Sequence, residues 1–459
     1  IGDRRARMGQ ARWLHSPLIY TLSISVYCTS WTFYGAVGSA ARSGLEFVTI
    51  YLGPTLVFVG WWWTLRKLVR IGRVHRITSI ADLISSRYGK STAIAVIVTL
   101  IAVTATTPYI ALQLQSVTLS FEAITGAGHE TRTAFWVAAG MAAFTILFGT
   151  RTINANERHH GVVAAIALEA VVKLVALLAG GAFAVWGVAG GIAPVFDAMP
   201  PDMMAPDEIF GPRWITLTFL AGAAVLCLPR QFQVTVVENI DERHLVTASW
   251  MFPLYLFLIS LFVVPIAIAG LTHLPPGSNP DLFVLNLPLA FGQEELALLA
   301  FIGGFSSATS MVIVASIALS TMVSNHIVAP LALRMLMRGR AASGDVRAVL
   351  RSRRRVSIVA MLLLGFVYLI ASGGAALASM GVIAFVGVAQ VLPALVGGIL
   401  WRGATRAGAL AGLVAGGILW IYTLFLPTLK DEAWLDALLL HGPFGIEMLR
   451  PEAMLGLGG

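Results

Sequence analysis

The chain has 459 residues, 57% of them hydrophobic and 12% charged, with a mean hydropathy of +0.82. A water-soluble protein of this length cannot hide so much apolar surface, so the composition excludes one. The net charge of +8 reads as a membrane-topology signal, and nucleic acid is not an expected partner.

The apolar runs are long and continuous, as helical spans require and barrel strands do not. In chain order they predict about eleven spans, at 16–41, 45–69, 91–124, 132–150, 157–188, 213–239, 246–272, 293–330, 353–378, 380–402 and 406–427, each long enough for roughly 30 Å of hydrocarbon. Several are longer than the bilayer needs, so tilt or breaks are expected. The ninth and tenth are expected to meet near Met380. Between spans 2 and 3, "HRITSIADLISSRYGKS" reads as a short amphipathic helix with Ile80, Leu83 and Ile84 on one side. The two cysteines, Cys28 and Cys227, lie in apolar runs and form no disulfide or zinc pattern.

If the spans alternate, most of the 31 basic residues fall on one face. That face takes Arg4, Arg5, Arg7 and Arg12, the loop from Arg66 to Lys90, Arg151 and Arg158, and the loop from Arg334 to Arg355. The opposite face keeps Arg42, Arg132, Arg213, Lys430 and Arg450, and its loop 189–212 is acidic through Asp197, Asp202, Asp207 and Glu208. This bias predicts a cytoplasmic amino terminus in a multi-pass membrane protein. His159 and His160 fall in a cytoplasmic loop as solvated residues. By parity the tail 428–459 is extracytoplasmic, so a soluble cytoplasmic domain would need a further span before it.

Four polar groups interrupt the apolar spans. "SISVYCTSWTFYG" at 23–35 is dense in hydroxyls and aromatics; it reads either as close helix packing or as an unwound turn with free carbonyls. "CLPRQFQ" at 227–233 places Pro229, Arg230 and Gln231 in span 6. Pro removes a backbone donor, and an intramembrane Arg is costly unless it snorkels or serves a ligand. Breaks in spans 1 and 6 are what two inverted five-span repeats need at a central binding site. "GGFSSATS" in span 8 offers the Gly303 carbonyl and the Ser306 and Ser307 hydroxyls. These are neutral hard oxygens suited to a dehydrated monovalent cation, or else a small-residue packing face. Glu169 and Lys173 stand four apart in span 5, where they can pair to neutralise each other or couple protons or ions. Pro108, Tyr109 and Gln113 share one side of span 3 and could line the same cavity. Trp31, Tyr34 and Tyr109 suit the apolar part of a small organic solute, and Arg230 suits its carboxylate or an inner gate.

At this point the sequence resembles the sodium:solute symporters, the family of the proline permease and the sodium–glucose transporters. "GFSSATSMVIVAS" matches the eighth core helix pattern small–x–x–Ser–Ser/Thr–x–x–Ser at Gly303, Ser306, Ser307 and Ser310. "PALVGGILWRGATRAGALAG" is similar to the family's tenth-to-eleventh helix junction. The resemblance implies an all-helical LeuT-like fold, with spans 1–5 and 6–10 as inverted repeats and span 11 added. It also implies a sodium site from the Ser25 and Cys28 carbonyls, Gly303, Ser306 and Ser307. Tyr27 stands where the proline permease has Asp, and "LPRQF" matches the family's sixth-helix turn only at Pro229. Na⁺ is the first expectation for the coupling ion and H⁺ the second. The implied solute-binding set is Tyr27, Trp31, Tyr34, Tyr109, Gln113, Pro229, Arg230 and Gln231.

A narrower resemblance follows from "HSPLIYTLSISVYCTSWTFYGAVGSAARSG", "LPRQFQVTVVEN", "DERHL" and "GPFGIEMLRPEAMLGL". These look like the symporter-like amino-terminal domain of bacterial sensor histidine kinases, which responds to histidine, acetate or other small metabolites. That resemblance implies a solute-sensing, solute-moving domain over 1–427, a downstream kinase module in cis, and a further span before "GDRRAR" outside this chain. The chain itself has no phosphoacceptor His box and no Gly-rich ATP lid, so no catalytic site is expected in it. The alternative is a plain Na⁺- or H⁺-coupled secondary transporter.

Overall fold

A computed structural model describes residues 16–126, 130–149, 160–204, 210–331, 346–429, 439–443 and 446–451. The amino-terminal arginines, Arg151, Arg158, His159, Asp207, Glu208, Arg334, Arg338, Arg340 and Lys430 lie outside the described residues. Among the described residues the structure is helical, with no strand.

Each predicted span is met by helix, but not each as one rod. Among the described residues, six helices are long and apolar enough to cross a membrane by themselves: Thr92–Thr125, Gly161–Val188, His244–His273, Glu294–Leu331, Leu377–Leu400 and Arg406–Thr428. A seventh crossing is the bent pair Pro212–Cys227 and Pro229–Val237, which turns by 53°. The other predicted spans are broken or short. Span 1 is divided into Pro17–Ile24 and Ala36–Ser43 by irregular turns. Span 2 is Thr49–Val59, which ends at Gly60, earlier than the expected residue 69. The aromatic turn Trp61, Trp62 and Trp63 then intervenes; the last two are exposed, as rings at a membrane–water boundary are. The helix that follows, Leu65–His75, buries Leu68 and Val69 and turns its arginines to solvent. Ile80–Arg87 is capped by Ser79, whose side chain accepts the Asp82 amide, and it buries Ile80, Leu83 and Ile84.

Spans 9 and 10 meet at Gly373 and Gly374, both at positive φ, and not near Met380. Helix Val346–Ala371 ends before them and Leu377–Ala389 begins after. Two successive left-handed positions are ones that glycine alone adopts without strain, and this fixes the boundary.

Lipid sets the burial pattern. Leu147, Leu168, Phe219, Phe257 and Leu363 are exposed, whereas Ser25, Thr29, Ser30, Gln113, Lys173, Arg230 and Gln231 are buried. The centre is therefore more polar than the rim, which suits a solvent of hydrocarbon. Span 3, at 34 residues, runs through that centre and packs on spans 8, 9 and 10. Span 5 packs against spans 1 and 8. These contacts bring the two breaks and the serine-bearing helix together.

Candidate functional site

Span 1 loses its regular winding over Ser25–Ser30. A 3-10 turn at Ser25–Tyr27 leads to Cys28 in extended conformation, φ −77° and ψ 97°, and the chain re-enters through a π-type turn at Trp31–Gly35. Span 6 breaks at Leu228, which is extended at φ −62° and ψ 126°. Pro229 explains the position: it has no N–H to continue the ladder, and it disfavours helical winding of the residue before it. Its ring is tolerated as the first residue of the next segment, Pro229–Phe232.

The freed carbonyls of span 1 have a partner. The Lys173 Nζ donates to the Ser25 carbonyl at 3.0 Å and to the Cys28 carbonyl at 2.8 Å. Lys173 is fully buried. The i, i+4 spacing predicted a pair with Glu169, and among the described residues no ion pair within 4.0 Å joins them. The Glu169 Oε2 is buried without a hydrogen-bond partner. The break in the neighbouring span outcompetes the helical neighbour because it presents two carbonyls together; that of Ser25 already takes the Cys28 amide at 2.8 Å and keeps a second lone pair for the ammonium.

In span 8 the paired serines satisfy their own helix. Ser306 Oγ and Ser307 Oγ both donate to the Gly303 carbonyl, at 3.0 and 2.9 Å. The sequence offered that carbonyl to a cation; instead both hydroxyls occupy it. Gly303 is also a packing position, since a Cβ there would lie 2.7 Å from the Ala176 Cβ and 2.8 Å from the Phe33 ring. A sodium ion therefore does not fit the donor set as it stands. Two of its expected carbonyls hold an ammonium and the third holds two hydroxyls. A second unit charge about 4 Å from Lys173 would meet a repulsion of about 4 kcal/mol at an effective dielectric of about 20.

The break in span 6 is treated differently. Arg230 is 1% exposed, and none of its three guanidinium nitrogens has a hydrogen-bond partner. Its Cζ stands 4.2 Å above the Tyr109 ring, and Tyr109 stacks on Phe385 with centroids 5.8 Å apart. The Tyr109 hydroxyl shares a hydrogen bond of 3.0 Å with Thr29 Oγ1. Gln113 accepts the Ser30 amide at 3.2 Å through its Oε1. Gln231 donates to the Ile24 carbonyl and to Thr235 Oγ1, both at 3.4 Å, and its Oε1 is unpartnered. Trp31 packs edge-on to Phe385 at 5.7 Å with its Nε1 unpartnered. Spans 1, 3, 6 and 10 thus surround a guanidinium, an indole N–H and an amide oxygen that have no partner.

Two of the expected solute contacts point elsewhere. Tyr34 donates to the Ala300 carbonyl at 3.3 Å and lies against Gly304, where any Cβ would overlap its ring. It closes span 1 on span 8. The Tyr27 hydroxyl donates to the Ile50 carbonyl at 2.9 Å, although its ring borders Phe385. Sequence reasoning missed Thr29, Ser30 and Phe385. The first two sat inside the quoted hydroxyl-rich stretch, and Phe385 carried no signal.

Each end of the site has an ion pair. On the Arg42 side, the Arg42 Nη2 meets Asp281 Oδ1 at 2.6 Å, and the Leu377 amide donates to Oδ2 at 3.3 Å. Asp281 is buried, and burial holds its carboxyl above the ordinary carboxylate range in spite of Arg42. On the opposite side, Arg70 grips Glu242 with two hydrogen bonds of 3.2 and 2.9 Å, and Arg66 stands 3.7 Å away. That carboxylate is solvated, and the Arg70 hydrogen bond depresses its pKa.

The sodium:solute symporter family model matches residues 17–416. The uncharacterized symporter YhjB of Bacillus subtilis (strain 168) is 25% identical over 411 residues, covering 87% of this chain and 78% of that protein. A substrate-bound, outward-open Na⁺-coupled sialic acid symporter superposes with a TM-score of 0.59 at 14% identity, covering 88% of this chain and 89% of that one. The manganese transporter of Eremococcus coleocola superposes with a TM-score of 0.56 at 15% identity, covering 97% and 93%. Those likenesses show the fold, which is the all-helical LeuT-like arrangement expected from the sequence. With 400 consecutive residues matched, the chain belongs to the sodium:solute symporter family.

Proposed function

We propose that this chain is the translocating unit of an ion-coupled symporter for a small organic solute bearing a carboxylate, with Arg230 as the solute's anchor. The observation that carries the reading is the Arg230 guanidinium: buried beside the break in span 6, over the Tyr109 ring, and without a hydrogen-bond partner. A buried cation in that state costs stability, and a ligand carboxylate supplies what it lacks, in bidentate geometry. Tyr109, Phe385 and Trp31 then face the solute's apolar part, and Gln231 and the Trp31 indole its polar atoms. The basic face of the sequence is the cytoplasmic one in this reading, which sets the Arg70–Glu242 pair inside and the Arg42–Asp281 pair outside a bacterial inner membrane.

The test is uptake of labelled L-histidine, L-proline and acetate into vesicles, alongside the matching amides. Uptake of a carboxylate and not of its amide supports the reading. A folded protein that binds none of the three, or that keeps its affinity after Arg230→Gln, overturns it.

The sensor reading, with a kinase in cis, is carried by the four quoted sequence stretches alone. The gene downstream of Gly459 decides between it and the plain transporter, which the symporter relatives favour.

A further inference from the structure

Family membership leads one to expect Na⁺ at the meeting of spans 1, 5 and 8, and the residues there are already occupied. The ammonium of Lys173 carries three donors, no acceptor and a full positive charge. It enters from span 5 and reaches the Ser25 carbonyl at 3.0 Å and the Cys28 carbonyl at 2.8 Å, on either side of the turn where span 1 unwinds. Ala176, three residues further along span 5, abuts Gly303, whose carbonyl takes the two serine hydroxyls. The same three helices that would build a sodium site therefore converge on this amine. Glu169, Cys28 and Arg230 are the charged or titratable groups that act on Lys173.

We propose that Lys173 is a cation tethered to the protein in the place of the sodium ion, so that span 1 stays docked on spans 5 and 8 without Na⁺ and solute movement does not require it. The ammonium cross-links the loosened turn as a coordinated ion would, through two carbonyl oxygens of span 1, of which that of Ser25 also takes the Cys28 amide. It differs from an ion in being unable to leave: the cross-link is permanent in composition and is made and broken only by movement of span 5 against span 1. The inference deepens the symporter reading and rests on it.

Two measurements on the wild-type protein decide it, with no variant needed. Solute uptake into proteoliposomes should proceed equally in NaCl and in choline chloride, and the melting temperature of the purified protein should not respond to Na⁺. Removing the amine opens the site: Lys173→Ala should become stabilised by Na⁺ but not by choline, and its uptake should become Na⁺-dependent by roughly tenfold or more. Lys173→Gln, which keeps a donor for the carbonyls, serves where Lys173→Ala does not fold. Wild-type uptake that fails without Na⁺, or a Na⁺-dependent rise in wild-type melting temperature, overturns the proposal. If no solute moves in either medium, the transport reading fails, and the melting measurement still decides the place of Lys173.

Discussion

Lys173 and Arg230 are both buried cations beside a broken span, and what meets them differs. Lys173 finds two backbone carbonyls, and Arg230 finds only the face of Tyr109. A satisfied cation holds structure together. An unsatisfied one stores a demand that a ligand can meet, because burial makes an unpaired charge expensive and a paired one tolerable. The difference separates a cross-link from a binding group within one site.

The comparison can be broken most sharply at Arg230. Replacing it with Gln should reduce affinity for a carboxylate solute by about 2–5 kcal/mol, measured by equilibrium binding to the purified protein. Arg230→Met should at the same time raise the melting temperature of the ligand-free protein, since it removes an unpaired charge. Lys173→Met should do the opposite, lowering stability by about 2–4 kcal/mol in the absence of Na⁺ because the two charge-assisted hydrogen bonds to the Ser25 and Cys28 carbonyls are lost. Equal signs for the two methionine variants would erase the distinction.

The next effect concerns the wall between spans 1 and 8. Gly304→Ala puts a methyl into the Tyr34 ring and should cost about 1–3 kcal/mol in melting experiments. Weaker again is the Arg42 end. Asp281→Ala, which leaves Arg42 and the Leu377 amide without this partner, should shift the protein toward opening on that side by about 1–2 kcal/mol, read from the reactivity of a cysteine introduced beneath the pair. The sign of the pH effect follows from burial. The closed form holds the Asp281 carboxyl above its ordinary range, so closure is favoured as that side becomes acid and is weakened as pH rises through the closed-state value. The smallest effect belongs to Glu242, whose pKa is depressed by Arg70. That pair is present above the ordinary Glu range and fades as pH falls through the depressed value, so nothing should change near neutrality. Glu242→Gln should alter transport rates by less than about threefold, because the pair is solvated.

The breaks were legible because their causes are local. Pro229 cannot donate, and "SISVYCTSW" crowds hydroxyls that compete with a helical ladder. The serine pair was legible as a feature but not in its outcome, since Ser306 and Ser307 choose between a ligand and their own Gly303 carbonyl by the packing of Phe33 and Ala176 around it. Lys173 was misread for a related reason. Spacing along span 5 offered Glu169, and only the approach of span 1, about 150 residues away in sequence, supplies the better partner. The Arg42–Asp281 contact, with a separation of 239 residues, left no trace in either local stretch. The early end of span 2 was hidden because the Trp61–Trp63 turn is as apolar as the helix it replaces.

The Asp281 carboxylate joins three separate pieces of chain: the end of span 1 through Arg42, the loop that carries Asp281 itself, and the first amide of span 10 through Leu377. Gly38 lies directly beneath it, where a side chain would collide with the carboxylate. A seal fastened at one knot has no half-open setting, because loosening one strand leaves the acid stranded among the other two. The doorway on that face should accordingly switch between shut and open in a single cooperative event, and its dwell times, rather than its width, should set how often a solute is admitted.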